Sequence, residues 1–290
     1  MATDDDNIYG YEPSIPAGGV FMLLFGLTTI WHGYQLFRAR ALYFIPFFIG
    51  GIFQIIGYLC RILSNGHTDS VTLYALQTVL ILLAPALYAA SIYMVLGRLI
   101  VFLHAEELSL VRVNWMTKIF VAGDVVSFFM QCGAGGLMSS DDADTRTLGE
   151  NLTIVALVIQ VVFFSFFLIT SVLFHVRIRR VSTAKSREGV LHWTGDIRVK
   201  NWVTLLYALY TISGLILVRS VFRLVEFIDG YGGYLMTHEA FIFVFDGVPM
   251  FVVMVIMNLY HPCEVIQNGK GYIPRGNFDE VPLRGAAGEV

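Results

Sequence analysis

The chain has 290 residues, and its composition excludes a soluble domain of that size. Hydrophobic residues make up 56% of the chain and charged residues only 14%, whereas about a quarter of the residues in a soluble domain are charged. The net charge of −3 comes with no strongly basic face, so we expect no nucleic-acid partner. Three cysteines cannot form a disulfide framework. This composition is typical of a protein embedded in a lipid bilayer.

Seven apolar segments are long enough to cross a membrane as helices. A spanning helix needs about 20 mostly apolar residues, because lipid offers no partner for unpaired backbone groups. In chain order, the predicted helices lie at about 17–36, 42–62, 71–103, 117–138, 151–176, 202–228 and 238–260. The third is longer than one crossing needs, and Pro85 could kink it. The predicted fold is all-α, a polytopic membrane protein built as a seven-transmembrane-helix bundle.

The distribution of Lys and Arg predicts the orientation of this bundle, since these residues stay preferentially in the cytosol. The connections after the first, third and fifth helices are basic, above all the segment Arg177–Lys200. The amino-terminal segment has no Lys or Arg, and the segment Ser139–Glu150, expected to be a loop, is acidic. We therefore expect an extracellular amino terminus and a cytosolic carboxyl terminus.

This topology divides the chain into three parts. They are an extracellular segment at 1–16, a seven-helix domain at 17–265 and a flexible cytosolic tail at 266–290. The first residues include no basic stretch, so we expect no cleavable signal peptide. The protein is expected in the plasma membrane or in an internal membrane, with its basic loop 177–201 available to a cytosolic partner.

The sixth and seventh predicted helices carry charges that are costly inside a bilayer. Arg219, Arg223 and Glu226 are spaced i, i+4 and i+7, which places them on one helical face. Near the start of the next helix lie His238 and Glu239, and Asp246 follows on the Glu239 face about 10 Å deeper. The connection between these helices is short and glycine-rich, so we expect antiparallel neighbours whose charges meet in the outer half of the membrane.

Two readings of these charges remain open. They could form a structural ion-pair network, or they could also line a pocket for the headgroup of an amphiphile. Asp124 and Gln131 on the fourth helix, with Gln54, Gln77 and Gln160, could extend that pocket, although a membrane Gln more often binds a neighbouring helix. The candidate substrate-binding residues are Arg219, Arg223, Glu226, His238, Glu239, Asp246, Asp124 and Gln131.

Two smaller groups of residues are expected to have structural roles and not to bind a ligand. Glycines on the second and fourth helices are expected at close helix contacts, including Gly133, Gly135 and Gly136. His32 and His175 lie near predicted cytosolic helix ends, where we expect them at the membrane interface.

Four segments of the chain resemble a known family. They are the run Ala84–Tyr93 with Arg98, the run Asp124–Phe128 with Gln131, the run Arg219–Arg223 with Glu226, and the positions His238, Glu239, Phe245, Asp246, His261 and Pro262. These segments resemble the fungal RTA-like family of lipid-translocating exporters, named for aminocholesterol resistance. The family more often has His-Pro-Gly where Cys263 follows Pro262 here, at the end of the last helix.

The resemblance implies a fungal membrane protein that exports lipid-like amphiphiles, such as sphingoid bases or sterol-like toxic compounds, in stress resistance. It implies no catalytic residues, no metal and no cofactor, and we expect no enzymatic activity. The chain lacks the Gly-x-x-x-x-Gly-Lys-Ser/Thr run of ATP-hydrolysing proteins. Energy would then come from the substrate gradient, from protons through Asp246, Asp124 or Glu239, or from no source, as in a scramblase. Partners would be an amphiphilic small molecule and membrane lipids.

Two other classes of protein remain open. A seven-helix receptor or sensor for an amphiphile would have the same topology and would signal through its cytosolic loops, but topology alone is an analogy. An intramembrane metallohydrolase would need about three His, Asp or Glu ligands at one depth. His238, Glu239 and His67 lie on the same predicted side, without HxxxH or HExxH spacing.

Overall fold

The computed structural model describes residues 13–66, 70–138, 140, 142–181, 183, 186, 202–230 and 233–266. Within these residues there are helices and no strands, and seven helices are long and apolar enough to cross a membrane. They are α1 (Ile15–Ala39), α2 (Ile45–Leu63), α3 (Val71–Phe102), α4 (Val113–Met138), α5 (Ala143–Arg180), α6 (Trp202–Asp229) and α7 (Glu239–Leu259). The predicted all-α, seven-helix fold is confirmed.

Local signals in the sequence begin and end these helices. The side chains of Ser14, Ser70 and Asp142 cap α1, α3 and α5 by accepting a hydrogen bond from a backbone N–H of the first turn. Pro46 stands in the first turn of α2, where its missing N–H costs no helical hydrogen bond. The left-handed conformation of Arg40, with φ of 49°, ends α1.

The helices form a closed bundle in which each packs against the next and α7 returns to α1. Helix α3 lies nearest the centre, because it contacts α6 as well as α2 and α4. Aromatic side chains such as Phe25, Phe47 and Tyr93 fill the interior. On the outside, Phe37 and Ile30 are 76% and 72% exposed, as expected for side chains that face lipid.

We name the two ends of the bundle by α1. The end where α1 begins is the proximal end, and it also holds the start of α7. The end where α1 finishes is the distal end, and it holds Arg40 and Tyr260.

The structure corrects one predicted feature of the helices and confirms another. Helix α5 begins at Ala143, so most of the acidic segment 139–150 is helical and not a loop. The cap from Asp142 explains this early start, which a hydropathy window misses because the first turns are polar. Helix α3 holds Pro85 in its interior and runs for 32 residues, longer than one crossing needs, as predicted. At 1.5 Å per residue its length is about 48 Å, which exceeds the hydrocarbon thickness of about 30 Å.

The expected close packing at Gly133, Gly135 and Gly136 is wrong. A methyl group added at any of the three would meet nothing within 4 Å in the described structure. The close approach of α4 to α5 occurs instead at Gly149, where an added Cβ would lie 2.8 Å from the Ala134 carbonyl oxygen. Gly123 also packs closely, against Phe163, as predicted.

The interfacial position expected for His32 is also wrong. His32 is fully buried, and its Nδ1 lies 2.8 Å from Oδ1 of Asn258 on α7. The amide nitrogen of Asn258 donates in turn to the Thr28 carbonyl oxygen at 3.0 Å. This hydrogen-bonded group joins α1 to α7 toward the distal end of the bundle.

Candidate functional site

Four charged side chains meet between α6 and α7 inside the bundle. The Asp246 carboxylate accepts hydrogen bonds from both Arg219 and Arg223. Arg223 also donates from Nη1 to Oε2 of Glu226 at 2.9 Å. Their formal charges sum to zero, and the side chains of Arg219, Glu226 and Asp246 are at most 2% exposed. We call these four residues the buried network.

The local structure of α6 and α7 explains why these side chains converge. The i, i+4, i+7 spacing puts Arg219, Arg223 and Glu226 on one face of α6. Asp246 lies in a π-helical turn, Phe243–Gly247, that interrupts α7. Pro249 follows and has no N–H to donate to the Phe245 carbonyl, which removes one α-helical bond at this point. Such π-turns often occur at functional sites.

Helix α3 contributes a backbone contact to the buried network. Because Pro85 has no N–H, the carbonyl of Ile81 four residues earlier lacks its usual helical donor. Arg219 donates to this Ile81 oxygen from Nη2 at 3.2 Å. The proline therefore provides an acceptor for a buried guanidinium in the centre of the bundle.

Two tyrosines from neighbouring helices lie against the network. Tyr58 on α2 is 1% exposed and interacts electrostatically with Asp246 and both network arginines. An added Cβ at Gly247 would lie 2.7 Å from the Tyr58 hydroxyl, so this glycine lets the hydroxyl approach α7. Tyr88 on α3 is fully buried and lies within electrostatic range of Arg219.

Several polar atoms in and beside the network have no partner in the described part of the chain. They are Nε of Arg223, Oε1 of Glu226, the hydroxyl of Tyr88 and Oε1 of Gln54, one helical turn before Tyr58. Buried polar groups are normally hydrogen-bonded, and each unmade bond costs about 1–3 kcal/mol. One donor, two acceptors and a hydroxyl thus remain for water or a bound polar group.

Glu239 belongs to a second, separate group at the proximal end. Its carboxylate binds Nη2 of Arg61 at 2.8 Å and the backbone N–H of Ser14 at 3.0 Å. Asn65, at the end of α2, donates to the Pro13 carbonyl oxygen at 2.8 Å. Arg61, Glu239 and Ser14 join the ends of α1, α2 and α7, and we call them the proximal clasp. The expectation that Glu239 joins the other charges of α6 and α7 in one cluster is therefore corrected, because its carboxylate pairs with Arg61.

The remaining candidate residues lie apart from the buried network. His238 is exposed, and its ring packs on Tyr234 with centroids 4.1 Å apart. The Asp124 carboxylate on α4 accepts a hydrogen bond from the Tyr93 hydroxyl at 2.9 Å. Gln131, two turns further along α4, donates to Gln160 on α5 at 3.2 Å, a helix–helix contact of the expected kind.

Sequence reasoning missed several contributors to these two groups, and three of them show what a sequence can signal. Arg61 was recognisable, because the predicted extracellular side otherwise holds only Arg146 as a basic residue, and an intramembrane arginine requires a carboxylate. The Ile81 carbonyl was recognisable from Pro85 four residues later. Tyr58 could not be recognised from the sequence, because a tyrosine on an apolar helix is usually an ordinary core residue.

The fold and the buried network define a multi-pass α-helical membrane protein with compensated charges in its interior. Residues 47–269 match the model of the family described as RTA1 like protein. The chain belongs to this RTA1-like family, and the family expected from the four sequence segments is confirmed.

Curated relatives of the chain come from fungi. Protoporphyrin uptake protein 1 of Saccharomyces cerevisiae is 36% identical over 296 residues, covering 89% of this chain and 94% of that protein. The probable lipid transporter atnI of Emericella nidulans is 30% identical over 275 residues, covering 93% and 71%. The sphingoid long-chain base transporter RSB1 of Saccharomyces cerevisiae is 26% identical over 308 residues, covering 97% and 78%. No solved structure matches the chain.

Proposed function

We propose that the protein moves lipid-like amphiphiles across a fungal membrane, without hydrolysing ATP, and that the buried network binds their headgroups. The observation that carries this proposal is the set of unpartnered polar atoms beside a charge-balanced network. Two relatives whose names state lipid or sphingoid base transport support the substrate class. In the predicted orientation the network lies in the extracellular half of the membrane.

The chemistry of the network favours a headgroup that both donates and accepts hydrogen bonds. Since the four formal charges cancel, the network as a whole neither requires nor repels a particular net charge. A headgroup hydroxyl or amine could donate to Oε1 of Glu226, while a headgroup oxygen could accept from Nε of Arg223. Sphingoid bases carry both kinds of group, which makes them suitable first probes.

The competing reading is that the network only fixes the register of α6 and α7. Buried ion pairs often do no more than this, and removing one partner destabilises a protein by about 3–5 kcal/mol because a charge is left uncompensated. An experiment must therefore separate loss of binding from loss of folding.

A matched pair of variants makes this separation. Glu226→Gln and Glu239→Gln replace a carboxylate by an amide of the same shape, and each weakens a bond to an arginine. Only Glu226 lies in the buried network, so we expect Glu226→Gln to weaken binding of a fluorescent sphingoid base by about tenfold or more, the effect of about 1.4 kcal/mol. Glu239→Gln should lower thermal stability and leave the affinity of the folded protein unchanged.

Binding and thermal stability are measured on the same purified, nanodisc-embedded samples. If both variants lose binding only in proportion to the fraction that unfolds, the buried network is a structural ion-pair network and the proposed site is refuted.

A further inference from the structure

Asp124 differs from the carboxylates of the buried network and of the proximal clasp. Asp246, Glu226 and Glu239 each contact an arginine. Asp124 is 4% exposed, and its recorded partner is a neutral group, the Tyr93 hydroxyl. Among the described residues, no charged side chain interacts with it.

The position of Asp124 makes this lack of compensation costly. It lies 11 residues after the start and 14 residues before the end of α4, or about 16 Å and 21 Å from the two ends. An ionised carboxylate near the centre of a bilayer costs several kcal/mol unless a cation accompanies it. A bound proton removes that cost, because a neutral carboxyl is much cheaper to bury.

A line of polar side chains leads from Asp124 toward the proximal end. Ser127 and Gln131 follow at i+3 and i+7 on the same face of α4. Ser127 is buried, while Gln131 is partly exposed and bonded to Gln160 of α5. The Ser127 hydroxyl donates to the Gly123 carbonyl oxygen at 2.9 Å, and hydroxyl and amide groups of this kind can also hydrogen-bond a bridging water.

On the distal side of Asp124 the packing is aromatic and close. The rings of Tyr93, Phe120 and Phe167 pack with centroids 4.5 to 5.3 Å apart. Phe120 and Met116, one and two turns toward the distal end of α4, are fully buried. Polar side chains therefore continue from Asp124 in the proximal direction, whereas aromatic packing surrounds it in the distal direction.

We propose that Asp124 is a proton-binding site, reached from the proximal end, that couples movement of the amphiphile to movement of a proton. The coupling rests on the proposed transport function, whereas the proton-binding site does not. The titratable group facing Asp124 from α3 is Tyr93, and α5 presents Phe163, Phe164, Phe167 and the Gln160 amide along this face. In each cycle one proton would enter from the proximal end and, in a second conformation of the bundle, leave toward the distal end.

Infrared difference spectroscopy on the purified protein tests the proton site directly. As pH is raised, the wild-type protein should lose a carboxylic acid C=O band, which shifts on deuteration and is missing in Asp124→Asn. Because the Tyr93 hydroxyl is hydrogen-bonded to this carboxyl group, Tyr93→Phe should change the frequency of the band. Asp142→Asn, the same change at an exposed aspartate, should keep the band. An unchanged band in Asp124→Asn would refute the proton site.

Transport in proteoliposomes with an entrapped pH dye tests the coupling. With an imposed pH gradient, the wild-type protein should accumulate a labelled sphingoid base and move protons with it. Asp124→Asn should keep downhill exchange of the base but lose gradient-driven accumulation and the linked proton signal, and Asp124→Glu should restore both.

The outcomes separate the two proposals. If the wild-type protein exchanges the base downhill at a rate that does not depend on the pH gradient, the coupling is refuted. The transport function is then unaffected. Absence of any wild-type exchange refutes transport and the coupling together, while the infrared band still decides whether Asp124 binds a proton.

Discussion

At the scale of single residues, Arg223 joins the two carboxylates of the buried network. It contacts Asp246 and Glu226 through different nitrogens of one planar guanidinium. A lysine would keep the charge but not this forked geometry, so lysine is not equivalent to arginine at position 223. The consequences of Arg223→Lys and Arg223→Ala should therefore differ.

We expect Arg223→Ala to cost about 3–5 kcal/mol of unfolding free energy, because it leaves buried carboxylates undercompensated. Arg223→Lys should cost less stability and still impair sphingoid base binding. Chemical denaturation in mixed micelles and the nanodisc binding assay measure the two effects. A fully stable Arg223→Ala protein would contradict the assignment of Arg223 as the central cation of the network.

The Arg61–Glu239 pair of the proximal clasp should contribute to stability and not to binding. A double-mutant cycle with Arg61→Ala and Glu239→Ala should give a coupling energy of about 0.5–3 kcal/mol, as for other contacting charges. The control cycle pairs Arg61→Ala with Asp142→Ala, which joins no shared contact in the structure, and should give a coupling near zero. Equal coupling in both cycles would refute a direct clasp.

How far sequence predicts the site depends on the separation of the residues. Arg219, Arg223 and Glu226 lie within two turns of one helix, so their shared face follows from spacing. The pairing with Asp246 follows from the short connection between α6 and α7. The pairing of Arg61 with Glu239 spans 178 positions and depends on how the bundle closes, which no local pattern specifies.

At the scale of helices, the close contact between α4 and α5 depends on which glycine faces the other helix. An added Cβ at Gly149 would lie 2.7 Å from Met138 Cγ and 2.8 Å from the Ala134 oxygen, whereas one at Gly135 meets nothing within 4 Å in the described structure. A run of glycines shows that close packing is available, but the helix rotation decides where it is used. That rotation is set by long-range contacts, so sequence reasoning chose the wrong glycines.

We therefore expect opposite results for two matched substitutions. Gly149→Ala should destabilise the protein, since backbone of α4 would have to move. Gly135→Ala should leave stability unchanged or raise it by up to about 1 kcal/mol through better helix propensity. Thermal unfolding of both variants in the same detergent is the measurement. Destabilisation by Gly135→Ala equal to that by Gly149→Ala would refute the observed packing.

The beginning of α5 should depend on pH through its cap. Hydrogen bonds from the Thr145 side chain and N–H hold the pKa of the Asp142 carboxyl below its ordinary value. A lowered pKa in the folded state means that the cap stabilises the helix start at neutral pH and is lost as pH falls through that pKa. Amide hydrogen exchange at Thr145, corrected for its intrinsic pH dependence, should show protection that disappears on acidification.

Asp142→Asn provides the control for this effect. Asparagine caps a helix about as well as aspartate but does not titrate in this range. The variant should keep protection at Thr145 at acidic pH. Loss of protection in both proteins at the same pH would place the pH dependence elsewhere.

At the scale of the whole molecule, the helix count was predictable because each crossing must satisfy its own backbone in lipid. Boundaries in polar turns were less predictable, as the early start of α5 illustrates. The orientation remains a prediction from the Lys and Arg distribution.

Cysteine labelling tests the orientation. In a variant with Cys60, Cys132 and Cys263 replaced by serine, a single cysteine is placed either at Asp142 at the proximal end or at exposed Glu107 at the distal end. A membrane-impermeant thiol reagent on intact cells should label the first and not the second. The opposite pattern would invert the predicted topology.

The central claim is that the chain itself moves an amphiphile across the bilayer, as opposed to sensing one. The most direct measurement is the movement of a headgroup-labelled sphingoid base between leaflets of proteoliposomes without nucleotide. We predict that the wild-type protein makes this movement much faster than it is in protein-free liposomes. Glu226→Gln should abolish the acceleration, whereas Glu239→Gln should keep the same rate per folded molecule. Binding of the base with no acceleration by the wild-type protein would contradict the account and favour a receptor.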